Sequence, residues 1–166
     1  GFYLSWSPNG EWLAFQANPG PHIYVMPAKG GQPLQVTDRS LVGGARTVAW
    51  DYDGKSLLYS GHPRGSAGMQ PHLAIVDTTG ENFQILANLS GEEGLSMITL
   101  WGQQPSWSPD ERFIAFTSFD EDTTIAIVET ERRTIRKLTK GRGQFFSPGG
   151  TEIAFLHEGA LWTTDL

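Results

Sequence analysis

The sequence predicts an all-β protein, a β-propeller of four-stranded antiparallel blades with four repeats visible and the last blade lacking its outer strand. Three observations carry this. A motif recurs four times in 166 residues, as Ser5-Trp6-Ser7-Pro8-Asn9-Gly10, Ala49-Trp50-Asp51-Tyr52-Asp53-Gly54, Ser106-Trp107-Ser108-Pro109-Asp110-Glu111 and Phe145-Phe146-Ser147-Pro148-Gly149-Gly150. Each copy is followed by short apolar runs of strand length rather than helical periodicity. The 20 Gly and 10 Pro supply many turns while staying below low-complexity proportions.

Within a repeat, the motif closes the first hairpin. Pro presets φ near −65° at the first central turn position, Asn or Asp suits the next, and Gly accepts positive φ. The second strands are Glu11–Phe15, Ser56–Ser60, Phe113–Thr117 and Glu152–Leu156. Third strands follow at Ile23–Met26, Leu73–Val76, Ile125–Val128 and Leu161–Thr164, and a fourth exists only three times, at Pro33–Thr37, Phe83–Leu86 and Ile135–Thr139. Lys29-Gly30-Gly31 and Thr79-Gly80-Glu81 read as the turns between strands three and four. The inner strands are apolar on both faces because each blade packs between two neighbours. Blades are expected at about 1–39, 45–88, 103–140 and 143–166, forming one propeller domain or a segment of one.

Trp107-Ser108-Pro109-Asp110 running on to Ile114-Ala115-Phe116, Ile23-Tyr24-Val25-Met26, and Leu138-Thr139 together resemble the repeat of TolB-like β-propellers, relatives of WD-repeat proteins. The resemblance covers essentially the whole chain. Copy two departs from it with Asp51-Tyr52 in place of Ser-Pro, and copy four has Phe146 in place of Trp and Gly149 in place of Asp. It implies six-bladed rings, with seven and eight blades in relatives, and a periplasmic protein-binding scaffold. Four blades leave three arrangements open: a segment of a longer propeller, two copies completing an eight-bladed ring as a homodimer, and a closed four-bladed ring. Gly1-Phe2-Tyr3-Leu4 starts inside a strand pattern, so a leader or an earlier domain is expected upstream.

Composition narrows the chemistry. The absence of Cys excludes disulfides, thiolate metal sites and cysteine nucleophiles in this chain. Twelve Lys+Arg against 18 Asp+Glu, a formal charge of −6, argue against a phosphate-tracking nucleic-acid surface. The one basic run, Glu131 to Lys137, reads as a solvated hairpin and outer strand. No apolar stretch approaches the ~20 residues that span a bilayer. No Gly-x-Ser-x-Gly elbow is present, and Ser7, Ser108 and Ser147 are turn serines before Pro, so no enzyme and no cofactor are expected.

His22, His62, His72 and His157 all fall in or beside the connection between strands two and three, and therefore on one face. Propellers resembling oligogalacturonate lyases hold a metal there, but no paired-His spacing supports a ligand set. His22 and His72 read instead as strand-initial residues with a ring nitrogen bonded to a loop carbonyl. Asp120-Glu121-Asp122 lacks the ligand count and Gly of a calcium loop and reads as a solvated tip. Gly43-Gly44 reads as a turn.

Two long connections remain, Ser60 to Pro71 and Ala87 to Gln104, and both emerge on one rim. The partner-binding residues expected there are His62, Arg64, Trp101 and Asp120. Neither hairpin chemistry nor blade packing requires them, and Trp101 follows Leu95, Met97, Ile98 and Leu100 in a segment with a hot-spot composition. The leading expectation is a non-catalytic, protein- or peptide-binding scaffold. Its rivals are a propeller gating the hydrolase domain of a prolyl oligopeptidase-like peptidase, and a metal-dependent polysaccharide lyase.

Overall fold

The computed structural model describes residues 4–17, 22–38, 42–65, 71–89, 104–119 and 122–166. They form fifteen strands in four antiparallel sheets, arranged as the four blades of a β-propeller. Blade 1 is β1 (Leu4–Trp6), β2 (Trp12–Ala17), β3 (His22–Pro27) and β4 (Leu34–Gln35). Blade 2 is β5 (Val42–Trp50), β6 (Ser56–Pro63), β7 (His72–Asp77) and β8 (Gln84–Asn88). Blade 3 is β9 (Ser106–Trp107), β10 (Phe113–Phe119), β11 (Thr123–Glu129) and β12 (Thr134–Lys140). Blade 4 has three strands, β13 (Arg142–Phe146), β14 (Glu152–His157) and β15 (Ala160–Asp165). Strands pair in chain order within every sheet. No helix among the described residues is long and apolar enough to cross a membrane.

The repeat motif acts through one recurring side-chain bond. Ser7 Oγ accepts the Trp12 N–H at 2.9 Å, Ser108 Oγ accepts that of Phe113 at 2.9 Å, and Ser147 Oγ accepts that of Glu152 at 3.2 Å. In blade 2 Asp51 replaces the serine, and its Oδ2 accepts the Ser56 N–H at 2.9 Å. The departure of copy two from Ser-Pro thus conserves the acceptor while burying a carboxylate, whose pKa burial pushes up against the hydrogen bonds from Ser56 and Lys55. The fourth turn position has positive φ in every copy, at Gly10, Gly54, Glu111 and Gly150.

These turns also lock adjacent blades. Asn9 Nδ2 donates to Asp53 O at 3.3 Å, and Glu111 Oε1 accepts the Tyr52 N–H at 3.1 Å. The non-glycine at position 111 therefore gains a contact with the preceding blade's turn that a glycine there could not make. Gly54 combines φ of +72° with a site where a Cβ would lie 2.8 Å from Asn9 Nδ2. Gly54→Ala is expected to lower stability by about 1 kcal/mol in a chemical-denaturant titration, mostly through backbone strain because the Asn9 amide can move.

The core lies between blades. Ala14, Ile23 and Val25 of blade 1 pack on Val48, Trp50, Leu57 and Tyr59 of blade 2. Leu58, Leu73 and Leu86 of blade 2 pack on Trp107, Ile114 and Phe116 of blade 3. Ala115 and Ile127 of blade 3 meet Ile153 and Phe146 of blade 4. Polar staples accompany them: Trp50 Nε1 donates to Ser5 O at 3.2 Å, Gln16 Nε2 to Ala45 O at 3.0 Å, and Thr117 Oγ1 to Gln144 Oε1 at 2.6 Å. Among the described residues no buried cluster joins blade 4 to blade 1.

Blade 2 departs from the sequence reading. Gly43 and Gly44 lie within β5 rather than in a turn, and Gly61, His62 and Pro63 continue β6 rather than opening a loop, with Val42 paired to Pro63. Glycine serves close approach here. A Cβ on Gly43 would lie 2.8 Å from His62 Cε1, and one on Gly61 would lie 2.8 Å from Gly44 O.

Candidate functional site

Antiparallel order sends the motif turns to one edge of every blade and the strand-two-to-three and blade-to-blade connections to the other. On that second rim, at the junction of blades 3 and 4, lies a cleft of about 460 Å³, within the range of small-ligand sites. Three chain segments build it: Asp122 and Thr123 entering β11, Lys140 to Arg142 between β12 and β13, and Leu156 to Gly159 around the β14–β15 hairpin.

Gly141 sets the junction. Its N–H donates to Thr123 O at 2.9 Å, and at φ of +145° the chain passes from one blade to the next without an intervening loop. A Cβ at this position would lie 2.6 Å from Phe155 Cδ2 and 2.9 Å from Leu156 O. Gly141→Ala is expected to cost about 2 kcal/mol or more, through forbidden φ together with a clash on a buried ring. Thermal unfolding of the variant measures it. Across the cleft, Glu158 and Gly159 both have positive φ, which is the two-residue turn that matches strand twist.

The lining is charged and mostly self-paired. Lys140 Nζ lies 2.8 Å from Asp122 Oδ2, and His157 Nε2 lies 3.9 Å from Glu158 Oε1. Arg142 is exposed and makes no ion pair among the described residues. Leu156 adds an apolar wall, and the Arg142 guanidinium is chemically able to pair with an acidic or carbonyl group brought into the cleft.

Of the expected partner-binding residues, His62 is half-buried at the end of β6, with Nδ1 3.3 Å from Pro63 O. Arg64, two residues further on, is exposed on the same rim. Trp101 and Asp120 lie outside the described residues, although Asp122, two positions on from Asp120, lines the cleft. His22 and His72 begin β3 and β7 as expected, and it is His72 whose ring departs from the expected bond to a loop carbonyl. His22 Nδ1 faces Thr37 Oγ1 at 3.3 Å. Both ring nitrogens of His72 are buried without a partner among the described residues. Burial, then the nearby His62, lowers the His72 pKa to about 4. Among the described residues no three His, Asp or Glu side chains gather as a metal-ligating group.

The sequence reading missed Lys140, Arg142 and Glu158. The available signal was the Lys140-Gly141-Arg142 link, the shortest connection between any two blades.

No family model matches the chain, and no characterised protein matches it by sequence. Solved structures do match. TolB from Acinetobacter baumannii aligns with a TM-score of 0.69 at 19% identity over 99% of this chain and 41% of that one. A protein assigned as TolB from Agrobacterium tumefaciens aligns with a TM-score of 0.73 at 18% identity, over 99% of this chain and 58% of that one. Oligogalacturonate lyase from Vibrio parahaemolyticus aligns with a TM-score of 0.69 at 10% identity, over 92% of this chain and 44% of that one. The chain thus spans about half the length of these three structures. Four blades of matching topology, reproduced across 99% of the chain, give this protein a TolB-like β-propeller fold.

Proposed function

We propose that this chain is a non-catalytic propeller scaffold that binds a protein or peptide partner on the rim opposite the motif turns. The observation that carries the reading is the charged cleft at the junction of blades 3 and 4, on the same rim as His62 and Arg64. Loops held on a rigid sheet scaffold are where recognition concentrates. In this reading His62, Arg64, Trp101 and Asp120 contact the partner, Trp101 acts as the apolar anchor, and Arg142 receives an acidic group. A net charge of −6 disfavours nucleic acid as that partner.

Peptides selected from a displayed random library against the wild-type chain supply the probe. Trp101→Ala and Arg142→Glu are each expected to weaken the selected peptides by about tenfold or more, whereas Arg136→Ala on the exposed outer strand β12 leaves them unchanged. Loss of binding in Arg136→Ala with retention in the other two would place recognition on the blade edge and overturn the assignment. Stoichiometric metal retained by the purified chain, lost on His62→Ala or His72→Ala, would favour the lyase reading instead.

A further inference from the structure

The fifth motif position is held by Asn9, Asp53, Asp110 and Gly149, so copy one alone joins a carboxamide to a following glycine. Asn18, Asn82 and Asn88 precede Pro19, Phe83 and Leu89 instead. Proline has no N–H to react, and the larger residues crowd their own nitrogen, whereas Gly10 leaves its nitrogen open to the Asn9 carboxamide carbon. In the folded turn both reacting groups are held. Asn9 Oδ1 accepts the Ser7 hydroxyl at 2.6 Å and the Glu11 N–H at 3.0 Å, Asn9 Nδ2 donates to Asp53 O at 3.3 Å, and the Gly10 N–H donates to Ser7 O at 2.9 Å. Ring closure needs the Gly10 nitrogen stripped of its proton and turned onto the side chain, so this set of bonds has to open first. Asn9 and Gly10 are both exposed, and water reaches them as soon as it does.

We propose that Asn9-Gly10 is a deamidation site gated by the fold, silent while the first hairpin of blade 1 is closed and reactive once it opens. The Gly10 nitrogen, its proton taken by solvent base, bonds to the Asn9 carboxamide carbon, whose C–N bond breaks to release ammonia and leave a cyclic succinimide. Water then opens the ring at either carbonyl, giving aspartate or isoaspartate. The two products part ways in this fold. An aspartate fits the turn, because Asp110 holds the equivalent place and its Oδ1 accepts the Ser108 hydroxyl at 2.6 Å and the Arg112 N–H at 3.2 Å. An isoaspartate adds a methylene to the main chain inside a turn that Ser7 closes twice, through its O to Gly10 N and its N to Trp12 O, both at 2.9 Å, and cannot keep both. Either product loses the Nδ2 donor that ties blade 1 to Asp53 O of blade 2. A chain that has once opened here therefore carries a lasting chemical record and a weakened junction.

Peptide mapping by mass spectrometry of the 166-residue chain, held at pH 8 and 37 °C, tests this, since ammonia lost against water gained raises the Asn9 peptide by about 1 Da. In urea that unfolds the chain the gain is expected to be about tenfold faster than in buffer, or more. In buffer, Ser7→Ala removes one donor to Asn9 Oδ1 and the acceptor of the Trp12 N–H, and is expected to speed the gain about fivefold. Ser147→Ala removes the matching strand bond in blade 4 and is expected to react at the wild-type rate. The isoaspartyl fraction, separated and refolded, is expected to unfold at lower urea than the Asn9→Asp variant. A rate in buffer equal to that in urea would show that the closed turn is no gate, and no gain in either would show that the pair is inert; both overturn the proposal. Equal rates in Ser7→Ala and Ser147→Ala would overturn it as well, because opening of this turn would then not set the reaction. Equal midpoints for the isoaspartyl chain and Asn9→Asp would overturn the distinction between the products. The urea comparison decides whether or not either serine variant folds.

Discussion

Trp50→Ala is expected to lower the stability of the chain by about 3–5 kcal/mol, the range for emptying a large aromatic site in a packed interior. Trp50 closes the contact of blades 1 and 2, lying among Ala14, Val25, Val48 and Leu57. Its indole N–H reaches across the interface to Ser5 O, so truncation removes a cross-blade hydrogen bond along with the ring. In a propeller each blade contacts only its neighbours, so a loss concentrated at one contact can uncouple blade 1 from the rest. Urea titration followed by circular dichroism is then expected to show an early transition ahead of the main one. Tyr52→Ala, on the exposed turn two residues later, serves as the comparison and costs about 0.5 kcal/mol or less. Equal losses in the two variants would mean that the blade contact is not packed as described.

The architecture was legible because its information is local and repeated. The serine or aspartate at positions 7, 51, 108 and 147 bonds an N–H only five residues ahead, so the motif specifies its own hairpin. Four occurrences remove the ambiguity of a single short apolar run. Missing from the sequence was every role that depends on a neighbouring strand. Gly43 and Gly44 looked like turn residues and Gly61 like part of a long connection, whereas in the fold all three lie in strands, Gly43 making room for the His62 ring and Gly61 for the close approach of Gly44 O. The glycines at positions 54 and 150 were read for their φ alone, yet they also face Asn9 and Pro109 of the preceding blade's turn. The cleft was hidden for a similar reason. Its charges come from positions 122, 140, 142 and 158, none of them within a recognisable motif, and only the passage from blade 3 to blade 4 at Gly141 brings them together. Trp101 and Asp120 remain proposals resting on composition and rim placement.

Acidification from pH 7.5 to pH 4.5 is expected to lower the stability of the wild type by about 2–3 kcal/mol through His72 alone. The ring is 2% exposed, lies edge-on to Tyr59 at 6.0 Å between centroids, and has neither nitrogen partnered among the described residues. A cation there would lose its hydration and gain no acceptor, so burial, reinforced by His62, holds the pKa at about 4 against an ordinary 6.5. The folded state therefore keeps His72 neutral while the unfolded chain takes up a proton below about pH 6.5. Stability from this group is complete above the unfolded value and drains away as the pH falls from 6.5 toward 4. Asp77 acts only further down: burial raises its pKa, but the Thr79 and Asn82 donors outweigh that and hold it near 2, so its contribution fades below about pH 3.8. His72→Phe removes the titrating ring while keeping an aromatic of similar shape, and its stability is expected to change little between pH 7.5 and 4.5. The measurement is a series of urea titrations at four pH values on both proteins. Parallel curves for wild type and variant would show that His72 is hydrated or partnered in solution and that the buried neutral imidazole is not the source of the acid sensitivity.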